Sequence, residues 1–415
     1  MPRMNRRQFL ATAGSSLVTA AMPPLSQAED SLIKSISKES LWRNRDGSGT
    51  TWFHPRPCLV PREEGRPPSV LMTMQEIAGS DYFGPVQWTR SEDLGATWSD
   101  PTPLTPLGRV PEPGVEGLER GVCDVVPQFH PATGTVLAMG WCVYYRGGKF
   151  ARKDQLDRYP VYSVRDAKGN WGPARKLEWN GASPPPVYGN NCGQRVVLPD
   201  GDIVMSLTHG SHDTGCAVSG VRCSFDGETL AIREIGPPQT NAKGRGLLEP
   251  SVATFRNRFF LTMRAEDGRG YVSASSDGVS YSEKVAWAWD DGTPLDLSTT
   301  QQHWLAHSEA LHLVYTRKDT SNLSVTRWRS PLWIAQVDPE RLCLIRSTER
   351  VALPLVGDGI HAQDEVALMG NFHTLNVSPD ESWVTAGEWM PKHGAKGDTL
   401  LARIRWSRPN RLALS

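Results

Sequence analysis

Apolar residues fall along this chain in short alternating runs separated by turn residues, the period-two pattern of half-buried strands. Six apolar hairpins follow one another: Cys58 to Met74, Val125 to Tyr144, Arg195 to Leu207, Pro250 to Met263, Ala310 to Tyr315 with the strand before it, and Phe372 to Ala386. Several share a turn chemistry. Pro199-Asp200-Gly201-Asp202 leads into Ile203-Val204-Met205, Pro131-Ala132-Thr133-Gly134 into Val136-Leu137, and Pro379-Asp380-Glu381 into Trp383-Val384. Long amphipathic helical periodicity is absent after the N-terminus. Six repeats of strand, turn, strand predict an all-β fold, a six-bladed β-propeller, which buries strand faces between blades and leaves only short protected edges. Seven blades or a jelly-roll appendage stay open, because Arg245 to Leu247 and the loops at 107 to 120 and 180 to 193 have room for an extra strand.

One turn is more specific than the others. Ser91 to Trp98 reads SEDLGATW: Ser and Asp side chains bond nearby backbone groups and close a turn, Gly95 accepts positive φ, and Trp98 tucks an aromatic plane beneath the loop. Shortened copies stand at Ser224 to Leu230 and Ser275 to Tyr281, with a fainter one at Asp166 to Trp171. A single serine-aspartate-glycine turn is common in hairpins. A set spaced by roughly 50 to 75 residues matches one four-stranded blade plus its loops.

Composition agrees with this reading: 38 Gly, 32 Pro and 15 Trp in 415 residues suit many short strands with aromatics wedged between sheets. Forty-five basic and forty-five acidic side chains cancel, which leaves no global field to attract nucleic acid or an anionic membrane surface. Any anion binding must be local. Seven scattered cysteines form no C-x-x-C pair and imply neither a zinc site nor a disulfide framework, although one pair could oxidise outside the cytoplasm. His130, His209 and His212 lie near blade turns without metal-ligand spacing, and no cofactor-binding glycine pattern occurs. No metal or cofactor is expected.

The first residues read as an address. Asn5-Arg6-Arg7-Gln8-Phe9-Leu10 resembles the twin-arginine export motif, an apolar run reaches Met22, and Ser26-Gln27-Ala28 offers small residues for cleavage. Residues 1–28 are expected to be a signal peptide and 29–415 one propeller domain, exported to the periplasm or beyond from a bacterial cytoplasm. The apolar run is too short to span a bilayer comfortably, so no stable membrane span is expected after cleavage.

Together these features resemble the bacterial sialidase (neuraminidase) superfamily, whose propellers carry the Asp-box pattern S-x-D-x-G-x-T-W matched by Ser91 to Trp98. Glu249-Pro250-Ser251-Val252 followed by Phe259 to Arg264 is similar to that family's fourth-blade segment, with Glu249 and Arg264 fifteen residues apart across one hairpin. His54-Pro55-Arg56-Pro57 stands where the family has its first-blade arginine, Asp81 precedes the box by ten residues as the family's general acid does, and Arg329 sits where the third arginine is expected. The resemblance implies that Arg56, Arg264 and Arg329 anchor a sugar carboxylate, since guanidinium forks match carboxylates bidentately. It also implies that Asp81 protonates the leaving oxygen while Glu249 supplies a second acidic group.

One departure qualifies this. Where the family has a nucleophilic tyrosine followed sixteen residues later by Glu, this chain reads Phe372-His373-Thr374-Leu375 with Glu388 at that distance, and no tyrosine follows Tyr315. Either Glu249, Tyr315 or His373 takes over, or the reaction differs. The loop Tyr188 to Arg195 offers amides and a phenol to sugar hydroxyls. Trp88, Trp141, Trp304 and Trp389 are candidate stacking planes in a chain whose tryptophans mostly pack blades. The expected activity is an exo-acting sialidase-like glycoside hydrolase whose partner is a glycan with a terminal acidic sugar. The alternatives are a lyase or other glycosidase on uronic-acid glycans, and a non-catalytic glycan-binding propeller.

Overall fold

The computed structural model describes residues 31–414 apart from 64, 182, 212 and 213. The export motif, the cleavage site and His212 therefore lie outside the described residues. Six antiparallel sheets follow one another along the chain. We call them blades 1 to 6 and count strands outward from the centre. Blade 1 opens with Trp52–Val60 and Ser69–Gly79, and blade 2 with Leu118–His130 and Thr135–Arg146. Blade 3 opens with the short pieces Val187–Gly189 and Val196–Val197 beside Ile203–Ser211, and blade 4 with Leu248–Phe255 and Arg258–Arg264. Blade 5 opens with His303–Ala306 and Leu311–Tyr315, and blade 6 with Leu368–Ser378 and Glu381–Trp389. Each of the six sequence hairpins is thus the inner pair of one blade. The segments with room for an extra strand supply only short pairings, Val110–Pro111 in blade 2, Val187–Gly189 in blade 3 and a bridge from Cys216 to Gly246.

The ring closes through the chain's own ends. Ile33–Trp42 pairs antiparallel with Thr399–Trp406 as the outermost strand of blade 6, which covers that sheet's free edge. Second strands lie between two neighbours, so their burial is continuous rather than alternating: all nine residues of Glu381–Trp389 are buried. Between blades 5 and 6 the packing joins Val314 and Ile334 to Phe372, Val384 and Leu400, each large side chain worth about 1.5–3 kcal/mol of burial. All seven cysteines are free and buried. Among the described residues no helix is long and apolar enough to cross a membrane.

The Ser91 to Trp98 turn joins the third and fourth strands of blade 1. Ser91 Oγ donates to Asp93 Oδ1 at 2.8 Å and accepts from Gly95 N at 2.7 Å, while Thr97 N and Oγ1 donate to Asp93 at 2.8 and 2.6 Å. Trp98 reaches Trp42 and Trp383 of blade 6, with ring centroids 5.9 and 6.3 Å apart. Gly95 has φ +82°, and a Cβ there would lie 2.7 Å from the Trp383 ring. The residue type is required twice over. The same serine-aspartate closure recurs at Ser275 and Asp277 of blade 4, whereas Asp226 of blade 3 and Asp166 of blade 2 close their turns through backbone N–H groups.

The inner strands carry the feature that shapes the centre. Pairing slips between Phe53 and Arg56, Cys123 and Val126, Leu248 and Ser251, and Leu368 and Asn371. Three of these bulges hold non-glycine residues at positive φ: His54 at 55°, Asp124 at 58° and Glu249 at 47°. A bulge bends its strand and re-aims side chains. Backbone strain of this kind, on the order of 1–3 kcal/mol per residue, persists where surrounding structure enforces it.

Candidate functional site

A cavity of about 710 Å³ opens where the bulged ends of the inner strands meet. Blade 1 contributes His54 and the turn residue Asp81, blade 2 Asp124, Trp141 and Tyr145, and blade 3 Asn191. Blade 4 contributes Glu249 and Arg264, the segment leading into the third strand of blade 5 Arg327 and Arg329, and blade 6 Asn371 and Trp389. Arg152, Lys153, Arg158 and Arg245 bring the cationic lining residues to seven against three carboxylates. In a chain of zero formal charge this surplus is a local field that selects anions.

The guanidiniums on the blade 4 and 5 wall share one anchor. Arg264 Nε donates to Thr299 Oγ1 at 3.0 Å, Arg327 Nη2 donates to the Thr299 carbonyl, and Arg264 Nη1 donates to Glu249 Oε1. Arg327 and Trp328 both hold positive φ, 54° and 49°, in the segment that aims Arg327 and Arg329 inward. Arg329 lies against Gly370, where a Cβ would sit 2.6 Å from its Nε, and it forms no ion pair among the described residues. Burial pushes its pKa down, and the neighbouring Arg327 and Arg264 add to that. An anion bound here would relieve both penalties.

The expected site residues are distributed unequally. Arg264, Arg329, Glu249 and Asp81 line the cavity. Asp81 stands exposed on its turn at φ 60°, 3.4 Å from Arg152, an exposed pair worth little energetically and free to rearrange. Arg56 is fully buried behind the wall, donating from Nη2 to Asp124 Oδ1 at 2.7 Å. The one-residue bulge turns His54 toward the cavity instead, and the third guanidinium of the cluster is Arg327. Sequence spacing did not expose Arg327 because its backbone is left-handed. Its only local signal was a second arginine two residues before Arg329.

Tyr315 and His373, the other two groups weighed beside Glu249 as nucleophiles, and Glu388 are also located. Tyr315 is fully buried in blade 5, outside the cavity lining, and its hydroxyl donates to Glu349 Oε1 at 2.6 Å. Burial and that carboxylate hold its phenol well above the usual range, so a tyrosinate is disfavoured there. Glu388 is buried and paired with Arg45, likewise outside the lining. His373 packs its ring 5.0 Å from that of His303 below the cavity floor, and burial first, then His303, depresses its pKa. Phe372 is 1% exposed within the blade 5 and 6 core, and blade 6 presents Asn371 in its place. Among the tryptophans, Trp141 and Trp389 line the cavity, while Trp304 packs against Trp287 and Trp88 against Trp171. Of the loop Tyr188 to Arg195, Asn191 reaches the lining. His130 bonds Thr133 and the Gly201 carbonyl, and His209 bonds Ser219.

The fold is a six-bladed propeller of the kind seen in solved sialidases. No protein-family model and no curated protein matches the chain in sequence. Among solved structures, it resembles a protein of unknown function from Dyadobacter fermentans at TM-score 0.60 and 13% identity, covering 90% of this chain and 100% of that one. A Hadza microbial sialidase matches at TM-score 0.59 and 14% identity over 89% of this chain and 68% of that one. The Trypanosoma rangeli sialidase in complex with sialic acid matches at TM-score 0.56 and 13% identity over 90% of this chain, which spans 59% of that protein's length.

Proposed function

We propose that this protein is an exported, exo-acting, sialidase-like glycoside hydrolase that releases a terminal carboxylated sugar, sialic acid or a relative, from a glycan. The observation that carries the reading is the convergence of Arg264, Arg327 and Arg329 on one cavity wall, with Arg329 lacking an ion pair among the described residues. Three planar donors on one wall suit a carboxylate, and a cavity of about 710 Å³ has room for a sugar ring. Asp81, on the blade 1 turn that lines the same cavity, is the proposed acid for the leaving oxygen. The likeness to sialidases, one of them solved with sialic acid, supports the reading at the level of the fold.

A second reading, a lyase acting on uronic-acid glycans, draws on the absence of a phenol at the blade 6 position facing the cavity. One experiment separates the two. The purified protein without residues 1–28 is given a fluorogenic sialoside in one arm and uronate polymers in the other, with absorbance at 235 nm followed for unsaturated products. Fluorophore release that Arg264→Ala abolishes is the expected result. Growth of absorbance on uronate polymers with no fluorophore release would replace hydrolysis with elimination.

A further inference from the structure

On the wall formed by blades 1 and 2, three side chains make an arrangement that anchoring a carboxylate does not use. Gln75 is buried, and its Nε2 donates to the carbonyls of Gly84 at 2.8 Å and Val122 at 3.1 Å. The amide orientation is forced, because a flip would set its oxygen against two carbonyls. Gln75 Oε1 therefore accepts, and the atom 3.3 Å away is His54 Nδ1. The ring proton of neutral His54 must sit on Nδ1.

That assignment leaves Nε2 as a bare lone pair, and it faces Asp124 Oδ1 at 3.5 Å. The same oxygen accepts from Arg56 Nη2 at 2.7 Å. A lone pair beside a carboxylate is repulsive, and a proton arriving between them converts the repulsion into an ion pair. His54 and Asp124 both line the cavity and both sit at positive-φ bulge positions. The Asp124 side chain keeps 21% exposure toward the cavity.

We propose that His54 and Asp124 form a general-base dyad that activates water for a single, inverting displacement at the anomeric carbon. This rests on the glycosidase reading above. The water oxygen bonds to the anomeric carbon, and its proton enters the pair through the cavity-exposed Asp124 carboxylate and comes to rest between Asp124 and His54 Nε2. The glycosidic C–O bond breaks with its electron pair on the leaving oxygen, which takes a proton from the Asp81 carboxyl group. Exchange with solvent then restores both groups. A direct water attack needs no phenol, in keeping with a blade 6 position that presents Asn371.

The surroundings set the pH dependence. Burial lowers His54 to about 4, with Asp124 opposing, Arg56 adding and Glu249 of blade 4 opposing. Burial raises Asp124, but a protonated His54 and the Arg56 guanidinium outweigh it and hold its carboxyl below the usual range. The thiols of Cys123 and Cys192, the Tyr145 phenol, the His303 ring and Asp81 are the other titratable groups around the pair. The base is therefore ready through neutral pH, and the rate should fall as pH drops through the dyad's value.

The test follows the first-formed anomer by proton NMR with 4-methylumbelliferyl sialoside as probe, alongside His54→Gln and Asp124→Asn. Expected are the inverted anomer, a loss in kcat of about 100-fold or more in both variants with KM little changed, and displacement of the acid limb of the pH profile in Asp124→Asn. If Asp124→Asn folds poorly because Arg56 loses its partner, His54→Gln carries the test, since it leaves that pair intact. Release with retained configuration, or an unchanged kcat in His54→Gln, overturns the dyad and leaves the glycosidase reading standing. No release by the wild-type protein removes both.

Discussion

Arg264 donates its Nη1 to the carboxylate of Glu249 across the first hairpin of blade 4, and its Nε to Thr299 from the neighbouring blade. One guanidinium thus joins a cavity-facing carboxylate to the segment that also holds Arg327. Arg264→Ala should weaken binding of free sialic acid by about 100-fold, roughly 2.7 kcal/mol, and Arg327→Ala by a comparable factor. Titration calorimetry reads both. An Arg327→Ala protein that binds like wild type would remove Arg327 from the anchor.

A phenol placed at position 372 should not create sialidase activity. Phe372 is 1% exposed and packs against blade 5, so the hydroxyl of Phe372→Tyr would be buried without a partner. The variant should lose about 1–3 kcal/mol in urea unfolding and gain no activity on a fluorogenic sialoside. A gain of tenfold or more would mean that position 372 can reach the cavity.

Glu388 serves the fold. Its side chain is 2% exposed, whereas that of its partner Arg45 is 32% exposed, and Arg45 Nε adds a 2.8 Å bond. Arg45→Ala leaves a buried carboxylate uncompensated and should cost about 2–4 kcal/mol, somewhat under the range for fully buried pairs. Below the unfolding transition the kinetic constants should stay within about twofold. A large fall in kcat at full folding would place Glu388 in the reaction.

Acid should unfold this protein early. Burial lowers His303 and His312 from 6.5 to about 3 and His54 to about 4. The unfolded chain takes up protons that the fold refuses, so stability is full above about 6.5 and falls as pH drops toward 4 and then 3. Each histidine contributes a slope of about 1.4 kcal/mol per pH unit inside its window. Urea midpoints at pH 7, 6 and 5 should decline progressively. A flat series would show that these rings are already protonated, or solvated, in the folded state.

Much of the architecture was legible residue by residue. The six apolar hairpins became the six inner strand pairs, and the Ser91 to Trp98 turn closes as its residue types require. Within the site, Glu249 and Arg264 were legible because both lie on one hairpin with no intervening crossover. Arg56 and His54 were harder, since a bulge between Phe53 and Arg56 decides which of them faces the cavity. A one-residue change of register exchanges the two faces of a strand.

Strand period, turn chemistry and a locally paired Glu249 and Arg264 were determined by the sequence itself, because alternation and turn residues act over a few neighbouring positions. The tertiary structure alone decided that Arg327 joins Arg264 and Arg329, that Asp124 meets His54 and Arg56, and that Phe372 turns into the core. Those relationships cross from blade to blade, and His54, Asp124 and Arg327 hold positive φ where they meet their partners. Their strain is local, but the packing that enforces it comes from the closed ring.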